Sequence, residues 1–190
     1  LLVACLELGT FPRHYHQLIA VLIPKTYGDQ ATIGALRDIW LLAHGIKLSQ
    51  RLVLRTAIKP LECRLRQEQA GFMGGRGTLE QLLALKLKID ESHRLHTPLY
   101  IMWVDLQKCF MSFKRQHGLR AAVWAGLPQR ARRALEGLYE EVKGRYESAY
   151  GSCEEFLIAR GFIQGALESP IMCNIMMNTL LELIGLKCVG

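Results

Sequence analysis

Leu99-Tyr-Ile-Met-Trp-Val-Asp105-Leu-Gln-Lys108-Cys-Phe110 is the stretch around which the chain is organised. An unbroken apolar and aromatic run ends abruptly in a carboxylate, and the pattern then turns amphipathic. Such a run has the composition of a buried β-strand, beginning at Pro98 and presenting Asp105 at its C-terminal edge. An acid in that place either holds a metal ion or caps the helix that follows. The stretch alone leaves both readings open.

The whole chain has 190 residues, half of them hydrophobic, enough to bury a core as one domain or as part of a larger one. Lys and Arg outnumber Asp and Glu by 24 to 17, a net charge of +7 that permits a phosphate-bearing partner. The six cysteines sit mostly in apolar runs and never two residues apart, which excludes the usual zinc and redox spacings and predicts reduced, buried thiols. The opening Leu-Leu-Val-Ala-Cys-Leu-Glu-Leu lacks a basic region and cleavage site, and no apolar run reaches membrane-spanning length. A soluble intracellular protein without a membrane partner is expected, in nucleus or cytoplasm.

N-terminal to the central stretch, residues 1–10 read as a helix end closed by Gly9, and Leu18 to Lys25 as a strand. Tyr27-Gly-Asp-Gln30 supplies turn residues, and Arg37-Asp38-Ile39 leads into a further apolar segment. Gly45 to Arg66 predicts a helix with one apolar and one basic face, kinked or divided at Pro60. The glycines of Gly71 to Gly77 lack the Gly-Lys-Ser/Thr ending of a phosphate loop and read as a connector. Thr78-Leu-Glu-Gln81 reads as a capping box opening a helix to about His93 with a wide leucine side. His14/His16 and His93/His96 are close pairs with no third metal ligand in view.

C-terminal to it, a helix is expected from about Cys109 to Trp124, and another after Pro128 with Arg130, Arg132 and Arg133 exposed. Arg145–Tyr150 and Glu155–Ala159 read as strands joined around Gly151-Ser152. Arg160-Gly-Phe-Ile-Gln164-Gly165 is a glycine-punctuated loop, and Ser169-Pro170 serve as N-cap and first turn of a last helix. No repeat, low-complexity tract or interdomain linker interrupts the chain.

Taken in order, these pieces resemble a reverse transcriptase of the non-LTR retrotransposon, group II intron and retron branch. Asp105-Leu-Gln-Lys108-Cys-Phe110 is similar to the first palm motif, Asp-x-x-Lys-Ala-Phe-Asp. Arg160-Gly-Phe-Ile-Gln164-Gly165 followed by Ser169-Pro170 is similar to the second, Arg-Gly-x-x-Gln-Gly-x-x-x-Ser-Pro, and is the most specific match. Arg37-Asp38-Ile39 stands where the family has Arg-Pro-Ile, and Gln69-Ala-Gly-Phe72 matches its Gln-x-Gly-Phe segment. The resemblance runs from about Phe11 to Ile184.

It implies an α+β fold in which helices pack on a small antiparallel sheet, with fingers over about 11–97 and the first part of the palm over about 98–186. It also implies nucleotidyl transfer from a deoxynucleoside triphosphate to the primer 3′-hydroxyl on an RNA template. Two magnesium ions about 3.5–4 Å apart would stabilise the attacking and leaving oxygens, with Asp105 as a ligand. By the same resemblance Lys25 and Arg37 brace the triphosphate, Phe110 lies under the sugar and excludes a ribose 2′-hydroxyl, and Gln164 and Gly165 line the nucleotide and template pocket.

Several positions depart from the family pattern. Its third palm motif pairs an aromatic residue with two adjacent aspartates after the Ser-Pro helix, yet no Asp occurs beyond Asp105. A fragment without that motif or a thumb, inactive by itself, is therefore expected. Met111 replaces an aspartate, Asp38 a proline beside Arg37, Ala166-Leu167-Glu168 a polar-Pro-Leu run, and His16 lies near the place of a tryptophan. The alternatives are a non-catalytic RNA-binding module that keeps the basic fingers surface, and an inert relic of such a domain.

Overall fold

A computed structural model describes residues 2–25, 35–148 and 150–184. The turn expected over Tyr27–Gln30 lies outside the described residues. Helix α1 (Leu2–Leu8) ends at Gly9, whose N–H returns to the Cys5 carbonyl at 2.8 Å, and a short 3-10 turn (Arg13–His16) leads into strand β1 (Gln17–Pro24). Strand β2 (Leu36–Leu41) pairs antiparallel with β1, placing Ile23 opposite Arg37 and Ala20 opposite Trp40. Both strands are rich in β-branched and bulky apolar residues, as expected of a pleated, half-buried surface.

Strand β3 (Lys143–Ser148) lies on the other side of β1, with Leu18 opposite Gly144. Two short strands, β4 (Gly151–Ser152) and β5 (Phe156–Leu157), pair antiparallel with opposite ends of β3, giving the order β2-β1-β3-β4 with β5 beside β3. The β1–β3 pair is parallel, so the sheet is mixed where a purely antiparallel one was expected. A parallel neighbour needs a long crossover, and the helices between β2 and β3 supply it.

Those helices are α2 (His44–Glu62), α3 (Thr78–Leu95), α4 (Cys109–Ser112), α5 (Arg115–Trp124) and α6 (Gln129–Leu138), and α7 (Ser169–Ile184) follows the sheet. Helix α2 buries Ile46, Gln50, Val53, Ala57 and Leu61 at helical spacing while Lys47, Arg51, Arg55 and Lys59 stay exposed, as the pattern predicts. Pro60 does not divide it: the proline sits in the last turn, where only one donor is lost and little helix follows. One hydrophobic core joins Leu18, Ala20 and Trp40 of the sheet to Val53, Leu61, Leu119, Leu135 and Met172 from the helices and to Phe162 from the loop before α7. The class is α+β.

The structure corrects the central strand. Residues 99–105 form no strand; their backbone is irregular and their side chains exposed, Trp103 by 80 % and Met102 by 84 %. A strand needs a neighbour for its backbone groups and cover for its apolar faces. The five strands described pair among themselves, and none lies beside this stretch. The same lack of cover marks α3, whose Leu79, Leu82, Leu83 and Leu87 are exposed and none of whose residues is buried.

Local expectations change at several other points. Gly77, not Thr78, is the N-cap of α3, and Glu80 Oε2 accepts its N–H at 2.9 Å. The helix expected from Cys109 to Trp124 is broken at Phe113 and Lys114, both extended, because the Phe113 carbonyl turns away to accept the Gly161 N–H at 3.0 Å. At α7 the first helical bond runs from Met172 N–H to the Glu168 carbonyl, so Glu168 occupies the cap position and Ser169 Oγ donates to the Ile163 carbonyl instead, at 2.7 Å. Cys63 and Cys153 are exposed rather than buried, because one lies in the turn after α2 and the other beyond β4. Two of the three α6 arginines expected to be exposed meet acids: Arg130 pairs with Glu7, and the half-buried Arg132 with Glu136 at 2.8 Å.

Candidate functional site

The residues singled out in the sequence come from three separated segments, and backbone hydrogen bonds join two of these to the third. Lys108 takes φ = +50° and starts the single turn of α4, which carries Phe110. Ser112 Oγ donates to the carbonyls of Gln107 and Lys108 at 2.7 and 3.0 Å, holding that turn closed. Phe110 is half-buried, its ring edge-on to Phe72 with centroids 6.1 Å apart. The Gln69–Phe72 segment thereby reaches the Asp105–Phe110 segment.

The loop from Arg160 to Gly165 docks on this turn. Phe162 N–H donates to the Phe110 carbonyl at 2.8 Å. Gly161 has φ = +74°, and a Cβ there would lie 2.5 Å from Met111 Cα, so both the conformation and the approach require glycine. Arg115 fastens the loop from below: Nε donates to the Gly161 carbonyl at 3.1 Å, Nη1 to Tyr139 at 3.1 Å and Nη2 to Ile158 at 3.0 Å, with the guanidinium 4.5 Å from the Tyr139 ring centre. Burial lowers the Arg115 pKa from its ordinary value, a shift that the nearby Tyr139 opposes.

At its other end the loop reaches the sheet. The Gln164 carbonyl accepts from Trp40 N–H at 3.4 Å, and Gly165, at φ = +108°, leaves 2.8 Å between a would-be Cβ and the Trp40 carbonyl oxygen. Gln164 and Gly165 therefore lie against β2, the strand that carries Arg37. Arg37 is exposed, and Lys25 is also exposed at the same end of the β1–β2 ladder, its N–H bonded to the Ala35 carbonyl at 2.8 Å. Asp38 does not neutralise Arg37. Successive strand residues face opposite ways, and Asp38 Oδ2 accepts from Trp40 Nε1 at 3.0 Å.

Asp105 stands apart from this path, exposed on irregular backbone before α4. Magnesium is held by a few converging carboxylates together with substrate phosphates. Among the described residues no three His, Cys, Asp or Glu side chains converge. An exposed Asp105 outside any such group among the described residues does not fit a two-magnesium centre.

A buried polar knot under the loop went unread in the sequence. Glu168 is fully buried; Tyr139 Oη donates to its Oε1 at 2.5 Å and Gln50 Nε2 to the same oxygen at 3.4 Å, while Oε2 has no partner among the described residues. Gln50 Oε1 in turn accepts the Leu167 N–H at 3.3 Å. Burial pushes the Glu168 carboxyl up to about 7, against the lowering effect of the Tyr139 hydrogen bond. Tyr139 is itself raised well above its ordinary value, first by burial and then by Glu168. Asn174 and Asn178 of α7 play a similar part for the connector, Asn174 Nδ2 donating to the Gly71 carbonyl at 2.6 Å and Asn178 Oδ1 accepting the Arg66 N–H at 2.8 Å. Their signal in sequence is only that they are amides on the buried side of an apolar helix.

Comparison with known proteins gives the family of the chain. The family described as "Reverse transcriptase (RNA-dependent DNA polymerase)" matches residues 23–189. The chain is 33% identical over 121 residues to the "Retrovirus-related Pol polyprotein from type-2 retrotransposable element R2DM" of Drosophila melanogaster, covering 60% of this chain and 11% of that protein. It is 27% identical over 175 residues to the "Retrovirus-related Pol polyprotein from type-1 retrotransposable element R2" of Nasonia vitripennis, covering 92% of this chain and 17% of that protein. The chain thus spans less than a fifth of either relative.

Proposed function

Since the chain belongs to the reverse transcriptase (RNA-dependent DNA polymerase) family, in its non-LTR retrotransposon branch, we propose that it supplies the fingers (about 11–97) and the first part of the palm (about 98–186) of an RNA-directed DNA polymerase. In the intact protein that enzyme joins a deoxynucleotide to a primer 3′-hydroxyl on an RNA template, chemistry for which the family uses magnesium. Within this chain Lys25 and Arg37 grip the triphosphate, Phe110 lies under the sugar, and Gln164 and Gly165 line the pocket for nucleotide and template. Asp105 is the one carboxylate this chain offers to the metal centre, so the 190-residue chain alone does not extend a primer.

The observation that carries this reading is the hydrogen-bonded path from Trp40 in β2 through the Gln164 loop to Phe110. It holds residues from distant parts of the sequence in one unit. Equilibrium binding of a deoxynucleoside triphosphate tests it. Lys25→Ala and Arg37→Ala each remove a charged contact to phosphate oxygens and are expected to weaken binding roughly tenfold. Unchanged affinity in both variants, with the fold intact by circular dichroism, overturns it.

The outer face of α2 favours a second reading, a non-catalytic RNA-binding module. Lys47, Arg51, Arg55 and Lys59 recur every fourth residue, all exposed, and none pairs with a carboxylate among the described residues. Like charges at that spacing repel one another, and a phosphate backbone relieves the repulsion.

A further inference from the structure

We infer that Cys109 and Cys173 are a redox-modification site: by exchange with a small aliphatic disulfide they close into an intrachain disulfide that pins α4, and the turn after Asp105, onto α7. The two residues lie 64 apart in sequence, yet the fold places their Sγ atoms 2.9 Å from each other. A disulfide spans about 2.05 Å, so bond formation asks for an approach of about 0.9 Å between helices that already touch. No other pair of thiols among the described residues is brought together, and no third His, Cys, Asp or Glu joins this one to make a metal site.

The two thiols differ in a way that orders the steps. Cys109 is half-buried and Cys173 only 7 % exposed. Cys109, as thiolate, attacks one sulfur of the small disulfide, forming a mixed disulfide and expelling one small thiolate. Cys173, as thiolate, then attacks the Cys109 sulfur, forming the Cys109–Cys173 bond and expelling the second. The two protein thiols are oxidised, the small disulfide is reduced to two thiols, and the protein's two thiol protons pass to the released thiolates. Burial, with the neighbouring Cys109 adding to it, pushes the Cys173 thiol up to about 12. Closure is therefore slow at neutral pH and gains about tenfold per unit of pH as the thiolate fraction grows.

Because Phe110 follows Cys109 directly, closure also fixes the residue placed under the sugar, a consequence that rests on the function proposed above. The linkage does not rest on it. The protein is incubated with oxidised glutathione, quenched in acid, digested and mapped by mass spectrometry. The exposed Cys63 and Cys153 take up glutathione and report that the reagent has acted. A peptide pair linked through Cys109 and Cys173 is expected, lighter by two hydrogens than its reduced parts, reversed by a reductant and missing from Cys109→Ser and Cys173→Ser. Glutathione on Cys63 with Cys109 and Cys173 both free, or each carrying its own glutathione, overturns the inference. Equal nucleotide affinity in linked and reduced protein would leave the linkage standing and count against the placement of Phe110 under the sugar.

Discussion

Glu168→Gln tests the buried knot beneath the loop, and its effect depends on pH in a direction that follows from the structure. The folded state holds the Glu168 proton until about pH 7, whereas the ordinary glutamate value is 4.5. Between those values the folded protein binds more protons than the unfolded chain, so stability falls as pH rises, by about 1.4 kcal/mol per pH unit at most. Below the lower value both states are protonated and the carboxyl costs nothing; above the upper value both are ionised and the full loss of about 3 kcal/mol stands. Glutamine keeps an acceptor for Tyr139 Oη and Gln50 Nε2 and does not titrate. Urea unfolding of both proteins at pH 5 and pH 8 reads the effect, with the six histidines cancelling in the comparison. Relative to the variant, the parent is expected to lose roughly 2–3 kcal/mol between the two pH values. A difference that stays constant, or that moves in favour of the parent at high pH, refutes the placement of a protonated Glu168 between Tyr139 and Gln50.

Two further outcomes follow from particular features of the fold. Gly165→Ala puts a Cβ 2.8 Å from the Trp40 carbonyl at φ = +108°, a backbone clash that no rotamer relieves; a loss of about 2–3 kcal/mol is expected, seen as a Tm lower by roughly 5–10 °C. Replacing Lys47, Arg51, Arg55 and Lys59 together by alanine is expected to weaken binding of single-stranded RNA and to flatten its dependence on salt, by up to about 0.7 in log–log slope for each phosphate no longer neutralised. An unchanged slope removes α2 from the RNA-binding surface.

Much of this architecture was legible in the order of residues. β1, α2, α6 and α7 announce themselves because each has a sustained apolar period or a proline and glycine boundary, signals that are local. The Gln164 loop was legible as a motif. Its docking on Phe110 and Trp40 was not, since hydrogen bonds between segments so far apart leave no local trace. The 99–105 stretch misleads for the same reason: composition suits a strand, but a strand exists only where a neighbour accepts it, and composition does not show the neighbour. Glu168 read as a departure from a family pattern, yet its partners lie 29 and 118 residues away, and those partners make it a buried acid. Asp38 is the neighbour of Arg37 in sequence, yet the alternation of side chains along β2 and the indole of Trp40 turn it elsewhere.

Primer extension on an RNA template with an annealed DNA primer, magnesium and deoxynucleotides tests the central claim most directly, run on a preparation of the 190-residue chain already shown to bind the triphosphate. The expected result is binding without extension, because among the described residues no three His, Cys, Asp or Glu side chains converge to hold the metal ions with Asp105. Extension by this chain that Asp105→Asn abolishes would contradict that claim.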